Sequence, residues 1–348
     1  MNSNRDLGSA RTGVLLIQVG TPASPETRDV RRYLREFLSD PRVLDMPRAA
    51  RFLLLNAVIL PFRPKKSAAA YRKIWTDEGS PLAVHTTALA EQVQQRLGDG
   101  FRVEAAMRYQ QPSLASQIDA LINDGCTQLV LVPMYPQNAS ASTGTSLAKA
   151  MQLIGDRFNV VPISTVPAFF EDAGFLDAQA EIARPLIAEF KPDHVLFSYH
   201  GLPEKQVKQS ELSAAHCLER ADCCAAMTPA NHFCYRAQSF ATTRGLAARL
   251  GLAQGAHSTS FQSRLKGQAW IKPHTDLVLP ELAAAGVRRL AVLTPSFVAD
   301  CLETIEEIGM RAAEQWTELG GDALVRVPCV NSSPAWADAV AALVRTAN

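Results

Sequence analysis

The sequence predicts an α/β protein built on parallel β-sheets. Short apolar runs rich in β-branched residues alternate with longer segments of helical periodicity, a pattern typical of parallel strands joined by helical crossovers. The strand candidates form two sets of four with similar spacing, so one half of the chain echoes the other. The first set comprises residues 13–19, 101–108, 128–133 and 157–163, and the second comprises residues 194–199, 256–261, 289–294 and 324–330.

Length and composition indicate a globular protein of two domains. The chain has 348 residues, of which 47% are hydrophobic, and is about twice the size of a common domain. Its 35 basic and 34 acidic side chains give a net charge of +1, which removes the electrostatic argument for a nucleic-acid partner. We expect an N-terminal lobe over residues 1–165, a C-terminal lobe over residues 166–333, and a last helix over residues 334–348 that packs back on the first lobe.

The sequence lacks the signals of a membrane-spanning or exported chain. Its most apolar window, residues 52–62, is interrupted by Asn56 and Pro61 and is far shorter than the roughly 20 residues that a spanning helix needs. The N-terminus has no apolar stretch typical of a secretory signal, so we expect a cytoplasmic location. In that reducing compartment, clustered cysteines indicate metal ligands or redox groups rather than disulfides.

His200 is the first candidate catalytic residue. It follows the fifth strand candidate, so its imidazole is expected at the carboxyl end of a strand, where open parallel sheets bind their ligands. A neutral imidazole there can bind a metal ion or accept a proton near neutral pH. The alternative is a histidine that only satisfies the amides of its own loop.

An acidic segment follows the seventh strand candidate at the same edge of the same sheet. If this segment is helical, Asp300, Glu303 and Glu307 share one face because they are spaced by three and four residues. A row of carboxylates that leads to an imidazole can pass hydrated divalent cations inward or protons outward. The alternative is the acidic first turn of a solvated helix, which the helix dipole also favours.

Four of the seven cysteines lie close together, in a Cys-rich insert over residues 205–235. They are Cys217, Cys223, Cys224 and Cys234. Four thiolates suit an iron–sulfur cluster or a zinc ion. The adjacent pair Cys223 and Cys224 departs from the paired Cys-x2-Cys spacing that is usual for structural zinc, so the pattern favours a cluster and leaves zinc open.

A basic segment encloses the apolar window. Residues 42–73 carry eight Lys or Arg side chains against one Asp. Such a segment can lie on an anionic membrane surface and pair with the carboxylates of an amphiphile. A buried helix with solvated ends is the equal alternative. Further along the chain, Trp270 is a candidate wall for a flat aromatic ligand, and a core tryptophan is equally compatible with the pattern.

Four motifs, which follow one another over nearly the whole chain, point to a known family. They are residues 34–43 (LREFLSDPRV), 198–203 (SYHGLP), 261–264 (FQSR) and 300–304 (DCLET). Together they resemble ferrochelatase, the family that inserts ferrous iron into a porphyrin to make haem. The resemblance implies the chelatase fold, in which two Rossmann-like lobes, each with a four-stranded parallel sheet flanked by helices, enclose a porphyrin cleft.

The resemblance also implies roles for particular residues. His200 corresponds to the active-site histidine and Glu303 lies opposite or beside it, so both are expected to be catalytic. Asp300 and Glu307 continue the acidic line that handles the iron substrate together with them. The positions that face the porphyrin correspond to Arg108, Tyr109, Tyr135, Trp270 and Val19, and the region that holds its propionates corresponds to Arg63, Lys66 and Ser80.

The cysteine group resembles an internal [2Fe–2S] cluster that a subset of bacterial members carries after the histidine motif. The implied role of this cofactor is structural or regulatory, because the insertion of iron that is already ferrous requires no electron transfer.

The resemblance therefore implies a lyase that inserts Fe²⁺ into protoporphyrin IX to form protohaem, the terminal step of haem biosynthesis. Contact with the cytoplasmic membrane is expected to be peripheral. Two alternatives stay open. One is a chelatase for another tetrapyrrole, by coproporphyrin metallation or cobalt insertion, and the other is a haem or porphyrin carrier without catalysis.

Overall fold

Two four-stranded parallel sheets organise the computed structural model, which describes residues 11–211, 217–220, 222–265 and 267–348. The first sheet has the order β2-β1-β3-β4 and contains β1 (Arg11–Gly20), β2 (Phe101–Tyr109), β3 (Cys126–Pro133) and β4 (Ile163–Thr165). The second has the order β6-β5-β7-β8 and contains β5 (His194–His200), β6 (His257–Gln262), β7 (Arg289–Leu293) and β8 (Ala323–Arg326). The predicted α/β class with two parallel sheets is confirmed.

Helices flank both sheets. Those between β1 and β4 are α1 (Thr27–Ser39), α2 (Arg48–Leu53), α3 (Leu60–Ile74), α4 (Pro81–Leu97), α5 (Leu114–Asn123) and α6 (Thr145–Gly155). Those after β4 are α7 (Ala173–Phe190), α8 (Glu204–Gln209), α9 (Tyr235–Leu250), α10 (Thr275–Ala284), α11 (Ala313–Glu318) and α12 (Pro334–Ala347). The segments Leu54–Ile59, Ser140–Gly144 and Glu303–Ala312 are π-helical, and Pro229–Asn231 forms a 3₁₀ turn.

The two edge strands β4 and β8 differ from the predicted boundaries. We expected the fourth strand over residues 157–163, but β4 begins only at Ile163, because the fully exposed Phe158 precedes it and Pro162 has no N–H to donate. The eighth strand was expected to continue to residue 330, but β8 ends at Arg326, two residues before Pro328. Both predicted boundaries are wrong, and in both cases a proline limits the ladder.

The last helix and the end of β1 fix the layout around the sheets. Trp336 of α12 is fully buried, with its ring 5.5 Å from that of Phe169 and 5.6 Å from that of Phe175, and α12 packs against α4 and α7. Gly20 ends β1 at φ 112°, and a Cβ there would lie 2.0 Å from the carbonyl oxygen of Tyr109. The close approach of the ends of β1 and β2 therefore requires glycine.

Within the described ranges, no helix has both the length and the apolar character that crossing a bilayer demands. The expected limits of the two lobes stay predictions.

Candidate active site

His200 lies at the end of β5, a strand that extends beyond its neighbour β7. β5 runs to His200, whereas its pairing with β7 ends at Phe197 and Leu293. The His200 N–H donates to Oγ of Ser296 at 3.0 Å, and the hydroxyl of Tyr235 donates to the His200 carbonyl at 2.8 Å. Two side chains thus replace the strand that is missing on this side of His200.

The imidazole of His200 has a defined tautomer. Its Nδ1 lies 2.6 Å from the carbonyl oxygen of Gly201. Because a carbonyl only accepts hydrogen bonds, Nδ1 carries a proton, and in the neutral imidazole the lone pair is therefore on Nε2. A Cβ on Gly201 would lie 3.1 Å from the ring of Trp270, so the glycine allows the buried Trp270 to pack on the backbone that follows His200. His200 Nε2 can therefore accept a proton or bind a metal ion.

The acidic segment is a π-helix, where we expected an α-helix. It begins at Glu303, and Gln262 at the end of β6 holds its first turn. Nε2 of Gln262 donates to the Glu303 carbonyl at 3.0 Å, while its Oε1 accepts from the Ser198 hydroxyl at 2.8 Å. Gln262 is 3% exposed, so this link between the sheet and the acidic π-helix is shielded from water.

Glu307 lies in a partly desolvated and highly charged environment. Its Oε1 accepts from the Ser263 N–H at 2.9 Å and its Oε2 from the Ser263 hydroxyl at 2.5 Å. Burial raises the pKa of Glu307, and the charge of Glu303 raises it further, against the opposing effects of the Ser263 hydrogen bond, His200 and Arg311. The histidine and two carboxylates are therefore close enough to influence one another's charge.

Glu303 lies where the two halves of the chain meet. Burial raises the pKa of Tyr33 and of Tyr71 well above the ordinary value, and the charge of Glu303 adds to this effect in both. Tyr33 belongs to α1 and Tyr71 to α3, so Glu303 of the second half approaches two buried phenols of the first.

Asp300 does not share the helix face of the two glutamates. It precedes the helix, and its Oδ1 accepts from Arg326 at 2.5 Å and from the Thr304 hydroxyl at 2.8 Å. Its Oδ2 accepts from Asn331 at 3.0 Å. The expectation of one shared face is therefore wrong for Asp300, because a buried ion pair and a capping interaction engage both of its carboxylate oxygens. Its role in handling iron stays a prediction.

Partly exposed apolar side chains lie beside the imidazole. Val19 near the end of β1 and Phe297 after β7 pack on the same small cluster, formed by Leu82, Ala299 and Cys301. The Phe297 ring is 6.2 Å from the His200 ring. The predicted porphyrin-facing residue Val19 is thus brought from the first half of the chain to the vicinity of His200.

Arg108 and Tyr109 converge on Asp40, a residue that the sequence reasoning missed. Oδ2 of Asp40 accepts from Arg108 Nη2 at 2.6 Å, from the Tyr109 hydroxyl at 2.9 Å and from the Thr145 hydroxyl at 2.5 Å. Burial opposes ionisation of Asp40, but these hydrogen bonds, that from the Arg42 N–H and the charge of Arg108 outweigh it and lower the pKa. The porphyrin contacts of Arg108 and Tyr109 stay predictions.

The remaining predicted porphyrin residues occupy different environments. The half-buried Tyr135 has its hydroxyl 3.3 Å from that of Ser146. Ser80 is buried and accepts from the Thr21 hydroxyl at 2.8 Å, beyond the end of β1. Arg63 and Lys66 are exposed on α3. Their roles stay predictions.

A cavity of about 200 Å³ reaches Glu307 from the side of β6 and α10. Ser263, Arg264, Asp276 and Arg311 contribute to its lining, and Arg264 forms an ion pair with Asp276 at 2.6 Å. Glu307 therefore has a polar approach of its own, distinct from the apolar surface beside Phe297.

The four clustered cysteines are buried and approach one another in pairs. The sulfurs of Cys217 and Cys234 are 3.5 Å apart, and those of Cys223 and Cys224 are 3.7 Å apart. Two ligands on one tetrahedral metal ion, at about 2.3 Å from it, are separated by roughly 3.7 Å. Each pair therefore has the separation of two sulfurs that share one tetrahedral ion.

Burial and contacts among the thiols raise the pKa of Cys223, Cys224 and Cys234. The hydrogen bond to Cys217 and burial raise the pKa of Cys234 to about 11, and burial raises the pKa of Cys223. Nη1 of Arg236 lies 3.0 Å from the sulfur of Cys224. Buried thiols are ligands only as thiolates, so a metal must supply the charge that ionises them. In the described part of the chain, no three His, Cys, Asp or Glu side chains are arranged to hold a single metal ion.

Comparisons with known proteins place the chain in a family. The sequence profile described as ferrochelatase matches residues 11–348. A ferrochelatase of Coxiella burnetii (strain CbuK_Q154) is 42% identical over 335 residues, which cover 96% of this chain and 93% of the relative. Ferrochelatases of Opitutus terrae and of Legionella pneumophila (strain Lens) are 43% and 41% identical over 334 residues, with 96% of this chain and 96% and 98% of the relatives covered.

Solved structures agree at the level of the fold. SirB from Bacillus subtilis with Fe³⁺ matches with a TM-score of 0.55 at 12% identity, over 97% of this chain and 95% of that one. The sirohydrochlorin chelatase SirB from Bacillus subtilis subspecies spizizenii in complex with cobalt matches with a TM-score of 0.53 at 12% identity, over the same shares of the two chains. With the profile match over nearly its whole length and relatives above 40% identity, the chain belongs to the ferrochelatase family.

Proposed function

We propose that this protein is a ferrochelatase that inserts Fe²⁺ into protoporphyrin IX to form protohaem, the terminal step of haem biosynthesis. The observation that carries the proposal is the grouping of the His200 imidazole, with its Nε2 lone pair, and the carboxylates of Glu303 and Glu307. Family membership supports the same activity.

Metallation has two costs that this grouping can lower. Two pyrrole protons must leave the porphyrin, and hydrated Fe²⁺ must lose water ligands. His200 Nε2 accepts one pyrrole proton and the Glu303 carboxylate accepts the other, and both protons then pass to water. The carboxylate of Glu307 stabilises the imidazolium. The same carboxylate oxygens replace water around the hard substrate cation, which reaches Glu307 through the polar cavity.

The apolar surface beside His200 suits a flat macrocycle. Phe297 lies beside the imidazole, Val19 packs on the same cluster as Phe297, and Trp270 packs on Gly201. Contact of a macrocycle with these apolar side chains would remove water from the reacting nitrogens. A carrier has no use for two carboxylates beside a histidine, so the grouping favours an enzyme. A chelatase for coproporphyrin or for cobalt insertion is the second candidate, because the same groups serve that chemistry.

Removal of the His200 imidazole or of the Glu303 carboxylate is expected to lower turnover strongly and to leave porphyrin binding intact. We expect His200→Ala to bind protoporphyrin, measured by fluorescence quenching, but to lose at least about 100-fold in kcat for Fe²⁺ or Zn²⁺ insertion, since general base catalysis contributes that much. Glu303→Gln has a loss of the same order. Glu314→Gln, an exposed acid on α11, is the matched control and retains wild-type turnover.

Near-normal metal insertion by His200→Ala refutes the role of His200 as the general base. Unchanged turnover in Glu303→Gln means that the acidic π-helix is only a solvated surface. Parallel assays with protoporphyrin, coproporphyrin and Co²⁺ separate the two candidate activities. A wild-type protein that binds porphyrin without catalytic consumption of metal is a carrier.

The pH dependence of insertion reports on Glu307. The pKa of Glu307 is raised, so its carboxylate, which is proposed to bind Fe²⁺, becomes protonated as the pH falls through that pKa. Ser263→Ala removes a hydrogen bond that favours the ionised form, and thereby raises the pKa further. We expect the acidic limb of kcat/KM to move to higher pH by about half to one unit. Ser39→Ala on α1 is the control, and a limb that stays in place or moves to lower pH contradicts the role of Glu307.

We also propose that the cysteine group holds a [2Fe–2S] cluster. Four buried sulfurs, with Cys217 next to Cys234 and Cys223 next to Cys224, support a metal centre, and the adjacent Cys223 and Cys224, which depart from the usual spacing of structural zinc, favour a cluster over a single zinc ion. Cys217, Cys223, Cys224 and Cys234 would hold the cluster, and the charge of Arg236 would offset that of the thiolates. The cluster would supply a structural centre and would exchange no electrons during the insertion step.

Metal analysis distinguishes the two occupants of the cysteine site. Protein purified without oxygen is expected to be red-brown, with two irons and two sulfides per chain. Cys224→Ser loses both iron and colour, whereas Cys126→Ala, which changes a buried cysteine of β3, keeps them. Stoichiometric zinc without sulfide in the wild-type protein overturns the cluster assignment.

The segment from α2 to α3 is proposed to contact an anionic membrane surface. It exposes Phe52, Leu53, Val58 and Phe62, at 65%, 64%, 54% and 75% of their area. Arg48, Arg63, Lys65 and Lys66 are exposed on the same segment. An apolar face bordered by cations binds lipid by burial of its side chains and by attraction to anionic head groups.

Vesicle sedimentation tests this contact. We expect binding to vesicles that contain phosphatidylglycerol, weaker binding to phosphatidylcholine, and a loss of about tenfold or more in affinity for Phe52→Ser with Phe62→Ser. Phe158→Ser is the control, because Phe158 is a fully exposed aromatic residue elsewhere on the surface. Equal binding by the double variant and the wild-type protein contradicts the proposed face.

A further inference from the structure

We propose that Tyr235 is a positioning residue that couples the cysteine group to His200. The proposal deepens the proposed function, on which it rests, by giving the cysteine group an influence over the reacting imidazole. Tyr235 directly follows Cys234, and its hydroxyl donates to the His200 carbonyl at 2.8 Å. One peptide bond and one side chain therefore separate a clustered thiol from the backbone of the histidine.

The hydroxyl of Tyr235 acts on a backbone that has few other constraints on that side. β7 ends before His200, and within the part of the chain that the structure describes Ser296 holds the N–H of His200 and Tyr235 holds its carbonyl. Tyr235 is 6% exposed, and water cannot readily replace its hydroxyl. A displacement of Cys234 moves the first turn of α9 and, with it, the group that sets the orientation of the His200 peptide.

Arg236 provides a second link from the same turn. Its Nη1 lies 3.0 Å from the sulfur of Cys224, and its Nε donates to the Lys272 carbonyl at 3.1 Å. Lys272 lies two residues after Trp270, which packs on Gly201, the residue after His200. The first turn of α9 thus connects the thiols to His200 through Tyr235 and to the Trp270 loop through Arg236.

Through these two links, a change at the cysteine group alters the position of His200. When the sulfurs of Cys217 and Cys234 are held together, the start of α9 is fixed and Tyr235 presents its hydroxyl to His200. When they are not held, the start of α9 is free to shift, and the imidazole loses the geometry that proton transfer needs. Because a shift of about 1 Å at a reacting group can cost 100-fold in rate, a small displacement suffices.

A double-mutant comparison tests the coupling. The proteins are the wild type, Tyr235→Phe, Cys217→Ser and the double variant, all purified without oxygen. The first readout is the position of the ¹³Cε1–¹H signal of His200 at one fixed pH, in histidine-labelled protein, assigned by its absence from His200→Asn. The second readout is kcat and KM for Zn²⁺ insertion, and iron and sulfide contents are measured in every protein.

We expect Tyr235→Phe to retain its iron and sulfide and to keep KM for porphyrin within twofold, but to lose about tenfold in kcat with a displaced His200 signal. Cys217→Ser displaces the same signal in the wild-type background and adds little in the Tyr235→Phe background. Thr12→Val is the control. It removes a buried hydroxyl that accepts from Gln128 at 2.8 Å at the start of β1, in the other sheet, and leaves the signal and kcat unchanged.

Additive effects of the two substitutions overturn the coupling, as does an unchanged His200 signal in Tyr235→Phe. If Cys217→Ser does not fold, the same comparison is made on wild-type and Tyr235→Phe protein stripped of metal by a chelator. The NMR readout requires no turnover. A protein that shows the coupling but inserts no iron therefore refutes the proposed function alone, and normal turnover without coupling refutes this inference alone.

Discussion

The structure around the candidate site depends on the unequal length of two neighbouring strands. β5 continues to His200, while its pairing with β7 stops at Phe197. A buried strand end cannot leave its N–H and carbonyl groups unsatisfied, so side chains must replace the missing strand. Ser296 and Tyr235 do so, while on the side of β6 the backbone carbonyl of Gln262 accepts the next N–H, that of Gly201, at 2.8 Å. Elements far apart in sequence therefore determine where the imidazole lies.

The same edge of the sheet brings like charges together at an energetic cost. Burial and the charge of Glu303 both disfavour ionisation of Glu307, while Ser263 and Arg311 favour it. A divalent cation or an imidazolium relieves this conflict, and its departure restores it. Such an arrangement binds cations transiently, as the transfer of a metal ion requires. Asp300 lacks this property because Arg326 already neutralises it within the fold.

The sequence predicted the parts of the site that local pattern controls. The rule that ligands lie at the carboxyl ends of parallel strands located His200 and the acidic segment. The partners of Asp300 and Asp40 could not be predicted, because Arg326 and Arg108 are 26 and 68 positions away from them along the chain. The π-helical geometry at Glu303 depends on the long-range bond from Gln262. The errors in β4 and β8 had a visible signal, since Pro162 and Pro328 stand inside the predicted strands.

The first half of the chain connects the site to the surface. α3 carries Tyr71 on its buried side, near Glu303, and Phe62 on its exposed side. One helix thus borders Glu303 and forms part of the apolar outer face. Porphyrins are flat, largely apolar molecules with a few carboxylates, so they partition to membrane surfaces. With the membrane contact proposed above, a porphyrin that leaves a bilayer along this face would pass from apolar lipid to apolar protein without full exposure to water, which would lower the free-energy barrier to its entry.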